Sequence, residues 1–368
     1  MRIDRLELEG FRNYAREAAD FDSRCNVICG ENAQGKTNLL EALVYLSRGR
    51  SPRARTDREM IGFRAETARV LVRAESRKRE FRVQADLFRG RRRRITVNQV
   101  PIKTNAALGD VYHTVLFQPE DLYLIREGAA ARRRFLDTAL CQLRPRYAAA
   151  LAGYERAREQ KTRILRDFGE RRDLLEALPE FNEQMIRLGA ALIHYRYQFC
   201  LRLAEYAAVH HRECSGGKET LDLQYQTVSA IEDPGADIGT LADGLRRHME
   251  SRKEAELSSR LCLSGPHKDD ILVAIDGREA KTYSSQGQTR TAALALKLAE
   301  RNIYQNAAGE YPVLLLDDVL SELDPKRQEF VLNRIAGGQV FITCCEEDRL
   351  PKLLGGRVFH VEQGRILS

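Results

Sequence analysis

The chain has 368 residues, 31% of them charged, and a formal net charge of +7. This length suffices for two or three domains, and the basic balance favours an anionic polymer or surface as partner over a small acidic metabolite alone. The eight cysteines include neither a CxxC pair nor a His/Cys cluster with zinc spacing, which argues against a metal finger and favours reduced thiols. Because the sequence has neither a signal peptide nor an apolar stretch of about 18 residues, we expect a cytoplasmic protein without a membrane partner.

The first part of the chain is predicted to form strands around one early helix. Ile3, Leu6 and Leu8 open an edge strand. Alternating runs at 68–74, 81–88 and 95–97 are separated by charged turns and predict a small antiparallel sheet. A further apolar strand is expected at 111–117.

The segment GENAQGKT at residues 30–37 has the order of a phosphate loop, because an apolar strand precedes it and an apolar-faced helix follows it. Backbone N–H groups of such a loop surround the α- and β-phosphates of a nucleotide, and the helix N-terminus adds a favourable dipole. Lys36 is predicted to reach the β- and γ-phosphates, and Thr37 to bind Mg²⁺. The predicted nucleotide-binding residues are Gly30, Glu31, Asn32, Ala33, Gln34, Gly35, Lys36 and Thr37.

From about residue 129 to 260 the apolar residues recur with helical period. One seam runs along residues 181–206, and a broken stripe runs along residues 147–168. We therefore expect two long helices with narrow seams that pair as an antiparallel arm. Strand period resumes at 271–275 and leads, through alternating strands and helices, to a final strand at 358–361.

The segment PVLLLDDV at residues 312–319 is typical of a Walker B strand, a buried strand that ends in two carboxylates. Asp317 is predicted to hold Mg²⁺, and Asp318 to orient or deprotonate the attacking water. Gln118 ends an earlier strand, where its neutral side chain could reach the metal ion and the water. The predicted catalytic residues are Asp318, Lys36 and Gln118.

A small-residue turn, SSQGQ at residues 284–288, opens an apolar helix before the Walker B strand. Its hydroxyl and free N–H groups suit a γ-phosphate, which predicts contacts from Ser285, Gly287 and Gln288. With the acidic turn at 321–324, these elements have the order found in ATPase heads of the ATP-binding-cassette (ABC) class. In that class the turn of one head contacts the nucleotide of another, so the three residues are predicted to act in trans in an ATP-dependent homodimer.

The predicted fold is therefore α/β, an ABC-type P-loop ATPase head with an inserted helical arm domain. Residues 1–128 form the N-terminal half of the ATPase domain, 129–262 the arm and 263–368 the C-terminal half. The arm is interpreted as an insertion into one α/β unit.

Arginine groups supply the candidate contacts for DNA, because their forked side chains bind phosphate irrespective of sequence. A solvated charged hairpin is the alternative for the first group. No aromatic residue is interleaved among these arginines, so duplex backbone contact is favoured over base stacking. The candidates are Arg91, Arg92, Arg93 and Arg94 before the strand at 95–97, and Arg53 and Arg55 after the first helix. Arg132 to Arg134 form a further group at a helix start, and His267 is interpreted as a structural hydrogen-bonding residue.

Seven motifs follow one another along nearly the whole chain. They are LEGFRNY at 8–14, GENAQGKTNLLEA at 30–42, FQPEDLYLIREG at 117–128, RRRFLD at 132–137, GPHKDD at 265–270, SSQGQTRT at 284–291 and LLLDDVLSELD at 314–324. With these motifs the chain resembles the RecF family of bacterial DNA gap repair. Gln118 and Lys268 depart from the Ser and Arg that are common in the family.

This resemblance implies ATP as ligand with Mg²⁺, and an ATP-dependent dimer on duplex DNA and on single-strand junctions at gaps. It also implies RecR and RecO as partners, help in loading the recombinase, and association with the nucleoid. Asp318 is shorter than the Glu of related heads, which predicts slow hydrolysis used as a release switch. Two alternatives stay open: a structural DNA tether like the chromosome-maintenance (SMC) proteins, against which the short arm argues, and the ATPase subunit of a transporter.

Overall fold

The structure, a computed structural model, describes residues 1–77, 79–335, 337–345 and 356–367. The chain divides into two compact units, the first made of Met1–Leu122 with Leu296–Ser368 and the second of Tyr123–Ala295. The second unit thus lies in sequence between the two parts of the first, which confirms the interpretation of an insertion.

The elements are numbered here in chain order. The first part of the first unit contains β1 (Arg2–Phe11), β2 (Tyr14–Asp20), β3 (Cys25–Cys29), α1 (Lys36–Arg48), β4 (Thr67–Ser76), β5 (Arg79–Phe88), β6 (Arg94–Val97), β7 (Val100–Pro101) and β8 (Thr114–Phe117). The second unit contains α2 (Ala129–Leu143), α3 (Pro145–Asp167), α4 (Leu178–Cys214), β9 (Leu221–Gln226), α5 (Ile238–Ser259), β10 (Asp270–Ile275), β11 (Arg278–Glu279) and α6 (Ala280–Tyr283). Helix α7 (Gln286–Ala308) begins in the second unit and ends in the first, which then contains β12 (Val313–Asp317), α8 (Pro325–Arg334), β13 (Val340–Cys344), β14 (Arg357–Glu362) and β15 (Arg365–Leu367).

Two sheets form the first unit. The antiparallel sheet has the strand order β2–β1–β4–β5–β6–β7, and the other sheet has the order β15–β14–β3–β13–β12–β8. Helix α1 contacts both sheets, and its Leu39, Leu43 and Leu46 are fully buried in their common core. This burial fixes the start of α1, where the phosphate loop ends.

The second of these sheets is parallel from β14 to β8, and β3, β12 and β13 are buried along their whole length. Its register pairs Cys29 with Cys344, and Asp317 with Thr343. Carboxyl ends of neighbouring parallel strands meet at one edge of a sheet, which is where α/β proteins bind ligands. The segments after β3, β13, β12 and β8 therefore share one edge.

Three strand predictions for the first unit are corrected. Strand β1 is an interior strand, because β2 pairs with it on the side away from β4. The strand expected from 111 starts only at Thr114, and β15 follows the strand that was expected to be final. Strand β2 has the charged sequence YAREAAD, in which only Tyr14 and Ala19 are buried. Its residues therefore show almost none of the alternation of apolar and polar side chains that marks a strand.

The second unit is broader than the expected two-helix arm with one seam. The predicted seam residues Met185 and Leu192 of α4 are buried, but Ile186 and Ile193, one position further on, are buried as well. Helix α4 contacts α3, and it also contacts α5 and β9. The expectation of a narrow seam is therefore wrong, because α4 has neighbours on more than one side.

Residues 263–295, which the sequence analysis assigned to the ATPase domain, belong to the second unit. The reason is β9, a strand that the analysis missed. It pairs antiparallel with β10 from Asp270 to Ile275, and these main-chain hydrogen bonds tie β10 to the helical unit.

Among the described residues, none of the helices combines the length and the apolar character that a membrane span requires.

Candidate nucleotide-binding site

The loop between β3 and α1 needs glycine at two positions. Gly30 has φ +152° and Gly35 has φ +124°, values that other residues rarely adopt. A Cβ atom on Gly30 would lie 2.3 Å from the carbonyl oxygen of Val361, and one on Gly35 would lie 2.7 Å from Nδ2 of Asn13. The expected setting of strand, tight loop and helix is therefore present, and phosphate binding by this loop stays a prediction.

Neighbouring segments hold this loop by its carbonyl groups. Asn13 Nδ2 donates to the Gln34 carbonyl (2.8 Å), and the Tyr14 hydroxyl donates to the Gly35 carbonyl (3.0 Å). The backbone N–H of Gly364, in the turn between β14 and β15, also donates to Gln34 O (3.0 Å). With its carbonyls bonded on one side, the loop is stabilised in one shape, which preorganises its N–H groups.

Lys36 lies beneath the loop and is 6% exposed. Its Nζ donates to the carbonyls of Gly30 (2.5 Å) and Glu31 (2.9 Å) and lies 3.5 Å from the Sγ of Cys345. Glu31 and the two residues after it, Asn32 and Ala33, are exposed, and Gln34 is half-buried. The ammonium is thus positioned inside the curve of the loop, as binding of the β- and γ-phosphates requires.

The structure brings together Thr37, Asp317 and Gln118 from three separate segments. Thr37 Oγ1 donates to Asp317 Oδ1 at 3.0 Å, and the Gln118 side chain also hydrogen-bonds to this carboxylate. A second hydroxyl, Thr343 Oγ1, donates to the same Oδ1 at 3.0 Å. Burial raises the pKa of Asp317 above its usual value, against the opposing effect of these hydrogen bonds and the charge of Arg53.

The donor set of this cluster fits Mg²⁺. A hydroxyl, a carboxylate and a side-chain amide are oxygen ligands, which hard cations prefer, and Mg²⁺ is usually held by one or two carboxylates plus substrate phosphates. Thr37 and Asp317 lie within hydrogen-bond distance of each other at the base of the loop. They are therefore the residues that could hold the ion, with Gln118 beside them.

Asp318 follows the strand in the left-handed region, with φ +54°. Its backbone N–H donates to Thr343 Oγ1 (2.8 Å), and its carbonyl accepts from Ser321 Oγ (2.6 Å). Aspartate tolerates this conformation better than most residues because its short polar side chain can bond locally. These bonds turn the chain directly after Asp317, and the different roles of the two adjacent carboxylates stay a prediction.

Thr343, Asn13 and Tyr14 are site residues that the sequence reasoning missed. Asn13 and Tyr14 end the LEGFRNY motif, so a signal was present, but nothing local relates them to a loop about twenty residues later. Thr343 stands in an ordinary apolar strand, VFITC, and no motif marks it. It becomes a site residue because β13 lies between β3 and β12.

The small-residue turn of the second unit starts α7 with a capping box. Ser285 Oγ accepts from the backbone N–H of Gln288 (3.2 Å), and Gln288 Oε1 accepts from the backbone N–H of Ser285 (2.9 Å). Gln288 Nε2 donates to Glu219 (3.1 Å). Ser285 is exposed and Gly287 half-buried, and their action in trans stays a prediction.

The arginines nominated for DNA are not equivalent. Arg93 is half-buried and donates to the hydroxyl of Tyr45 (2.9 Å), to Asp57 (3.0 Å) and to Asn105 (2.8 Å), so it holds the first unit together. Arg91 stacks on the Phe88 ring at 3.7 Å.

The other nominated arginines are exposed. Arg53 donates to Asn38 (3.1 Å) close to the loop, and Arg94 lies at the start of β6. Arg55 and Arg92 line a cavity of about 730 Å³, together with Arg50, which belongs to the same arginine group after the first helix, and Lys103, which was not nominated.

Arg132 and His267 have structural partners inside the second unit. Arg132 is buried and forms a bidentate pair with Asp270 (2.7 and 2.8 Å), which removes it from the candidates for DNA. His267 Nε2 donates to the Cys262 carbonyl (3.1 Å), so its Nδ1 accepts from the Tyr154 hydroxyl (2.7 Å). Burial lowers the pKa of His267 to about 4, and the neutral ring agrees with the structural interpretation.

A phosphate loop, a Walker B carboxylate bonded to the loop threonine, and a parallel sheet that joins both ends of the chain define an ABC-type P-loop ATPase head. Comparison with known proteins makes this more specific. Residues 2–364 match the RecF/RecN/SMC N-terminal domain family.

The chain is 36% identical over 348 residues to the DNA replication and repair protein RecF of Acetivibrio thermocellus, covering 95% of this chain and 94% of that protein. It is also 36% identical over 375 residues to RecF of Bacillus subtilis, covering 100% of both. The chain belongs to the RecF family of DNA replication and repair proteins.

Solved structures agree with this assignment. The recombination mediator protein RecF-ATPrS in the RecFOR pathway superposes with a TM-score of 0.91 at 32% identity, covering 99% of this chain and 97% of that one. RecF-ATP from the same pathway superposes with a TM-score of 0.90 at 31% identity, covering 100% and 97%. An Smc head domain from Pyrococcus furiosus shares the fold, with a TM-score of 0.56 at 17% identity and coverage of 100% and 96%.

Proposed function

We propose that the chain is an ATP-dependent DNA-binding protein of recombinational gap repair, in which ATP closes a homodimer on DNA and slow hydrolysis releases it. The observation that carries the proposal is the bonded set of Thr37, Asp317 and Gln118 at the base of the phosphate loop. Similarity to RecF proteins described with ATP and ATPrS supports ATP as the nucleotide. The replication and repair function of the relatives supports DNA as the partner.

The residues of the site have separate parts in the proposed reaction. The backbone N–H groups of the loop and the ammonium of Lys36 bind and orient the phosphates. Mg²⁺ held by Thr37 and Asp317 would neutralise charge that develops on the transferred phosphoryl group. Asp318 accepts a hydrogen bond from the attacking water and takes its proton. A glutamate would reach further, so the shorter Asp318 side chain makes hydrolysis slow.

The exposed turn at the start of α7 supports a site shared between two chains. The N-terminus of a long helix favours an anion, and the exposed Ser285 hydroxyl offers one further donor. Ser285, Gly287 and Gln288 would bind the γ-phosphate held by the loop of a second copy. ATP would then stabilise the dimer, and hydrolysis would remove this contact.

Exposed cations of the first unit support contact with duplex and gapped DNA. Arg50, Arg55, Arg92 and Lys103 border one cavity, in which Asp57 is the single acidic lining residue and is paired with Arg93. Cations that lack carboxylate partners release counterions when they bind phosphates, which gives salt-dependent affinity irrespective of sequence. RecR and RecO are proposed as protein partners because similar chains are described within the RecFOR pathway.

Sedimentation velocity of the chain with and without ATP, in the presence of gapped or continuous duplex, tests this proposal. We expect ATP to convert monomer into a DNA-bound dimer, and the comparison of the two DNAs measures the preference between gapped and continuous duplex. Lys36→Ala should lose ATP-dependent dimerisation, and Asp318→Asn should keep it with a longer lifetime. Asparagine suits the backbone of Asp318, since it tolerates φ +54° as well as aspartate does.

A dimer lifetime in ATP that is unchanged by Asp318→Asn, although hydrolysis is lost, would refute the release switch. Normal ATP-dependent dimerisation of Lys36→Ala would refute the assignment of the loop. ATP hydrolysis that duplex DNA does not stimulate would refute DNA as the partner that activates the ATPase.

A further inference from the structure

Three thiols border the nucleotide-binding loop. Cys29 ends β3 and Cys344 ends β13; they are paired in register, and their Sγ atoms lie 3.3 Å apart. Cys345 follows directly, with its Sγ 3.5 Å from Lys36 Nζ and 3.2 Å from Asn32 Oδ1. Cys345 is therefore a neighbour both of Lys36, which is proposed to bind the phosphates, and of the loop itself.

Accessibility distinguishes Cys345 from the other cysteines. All eight cysteines lie within the described residues, and Cys345 is the one that is exposed. The hydrogen bond with Cys29, together with burial, raises the pKa of Cys344 far above its usual value, and burial raises the pKa of Cys262 to about 11. Because the thiolate is the reacting form, buried thiols such as these are inert, whereas Cys345 can be reached by a reagent.

We propose that Cys345 is a thiol modification site at which a small-molecule disulfide, such as oxidised glutathione, forms an adduct that excludes ATP from the loop. The exclusion rests on the proposed nucleotide-binding function. Cys345 Sγ, after losing its proton, attacks one sulfur of the reagent. A new S–S bond forms, the S–S bond of the reagent breaks, and the leaving thiolate takes up a proton. Cys345 is thereby oxidised and one equivalent of thiol is released reduced.

The position of Cys345 makes the adduct and the phosphates compete for one volume. An S–S bond is about 2.05 Å long, so the added sulfur lies within about 5.6 Å of Lys36 Nζ. A phosphate oxygen bound to this ammonium lies about 2.7–2.9 Å from it. The carboxylates of glutathione are themselves anions that the loop attracts. The adduct therefore occupies the space beside Lys36 that a nucleotide needs.

The full chain is incubated with oxidised glutathione, with and without ATP and Mg²⁺, and the adduct is located by intact and peptide mass spectrometry. We expect one adduct per chain, at Cys345. At an ATP concentration ten times its Kd, the rate of modification should fall about tenfold, because only the nucleotide-free fraction reacts. The modified chain should lose binding of a fluorescent ATP analogue and regain it after reduction.

Variants of single cysteines complete the test. Cys345→Ser should form no adduct, and its nucleotide affinity should be the same before and after disulfide treatment. Cys344→Ser and Cys141→Ser, at a buried and a half-buried thiol, should keep both the adduct and the loss of binding. First modification at another cysteine, or a modified chain that binds ATP as tightly as the untreated one, would overturn the proposal. Failure of the untreated chain to bind ATP would instead refute the proposed function, while the mapped adduct still decides whether Cys345 is the modified thiol.

Discussion

Replacing Thr343 by valine removes one hydroxyl, which bonds both the carboxylate of Asp317 and the backbone N–H of Asp318, and leaves the shape of the side chain unchanged. Thr343 is 1% exposed; its Oγ1 donates to Asp317 (3.0 Å) and accepts from the backbone N–H of Asp318 (2.8 Å). A hydrogen bond to a charged group contributes about 1.5–3 kcal/mol, and an unsatisfied buried N–H costs about 1–3 kcal/mol. We therefore expect a loss of stability of about 3 kcal/mol.

A change of 1 kcal/mol shifts the Tm of a unit of this size by about 2–4 °C, so the Thr343→Val chain should melt roughly 6–12 °C lower. The assay is thermal unfolding without nucleotide, followed by titration of ATP at several Mg²⁺ concentrations. Because the lost bond favours the ionised form of Asp317, the variant should also need more Mg²⁺ for binding.

Thr343→Ser is the matched control, since it keeps the hydroxyl and loses one methyl group, which costs about 1 kcal/mol. Its Mg²⁺ dependence should equal that of the parent chain. If Thr343→Val melts within about 1 °C of the parent and binds ATP with the same Mg²⁺ dependence, the assigned part of Thr343 is refuted.

Three further predictions concern other parts of the first unit. Asp317→Asn should raise the Tm of the nucleotide-free chain at neutral pH, because burial raises the pKa of Asp317 and its ionised form therefore destabilises the fold above that pKa. The gain in Tm should vanish as the pH falls below the ordinary carboxyl range. A gain in Tm that is independent of pH would contradict this reasoning. Gly35→Ala should abolish nucleotide binding, since residue 35 has φ +124° and the new Cβ would lie 2.7 Å from a side-chain nitrogen. Gly90→Ala is the control, because a Cβ there would have nothing within 4 Å, and it should bind nucleotide normally. Equal affinities of the two variants would refute the expected strain. Arg93→Ala should lower the Tm because it breaks three side-chain contacts. Arg92→Ala should leave the Tm unchanged, and the slope of log K against log salt for DNA binding should fall by an amount equivalent to about one phosphate contact. The reverse pattern would refute the assignment of these two arginines.

Within the helical block, the period of the sequence correctly predicts helices but not their neighbours. The stripe along α4 indicates one buried face, through Met185 and Leu192. Burial of Ile186 and Ile193 depends on α5 and β9, which contact the helix from elsewhere in the chain. Strand β9 has the sequence LDLQYQ, whose apolar and polar residues alternate as in a strand, so a local signal was present there; its pairing with β10 depends on a segment more than forty residues later in the chain.

The four consecutive arginines at 91–94 show the same limit on a smaller scale. The sequence predicts a cationic hairpin, in which all four side chains are chemically equal. Their surroundings make them different, because Asp57, Tyr45 and Asn105 come from other segments and bind Arg93 alone.

Local motifs are enough to predict the class of the protein and the residues of its candidate nucleotide-binding site. The loop around Gly30, Lys36 and Thr37 and the strand that ends at Asp317 are recognisable because their chemistry requires fixed residue types at short spacing. The residues that support this site become visible when the chain is folded. Asn13 bonds a loop carbonyl, and Thr343 bonds the Asp317 carboxylate and the Asp318 N–H, across long sequence separations. Strands that are far apart in the chain end side by side at one sheet edge, and local sequence carries no record of that neighbourhood.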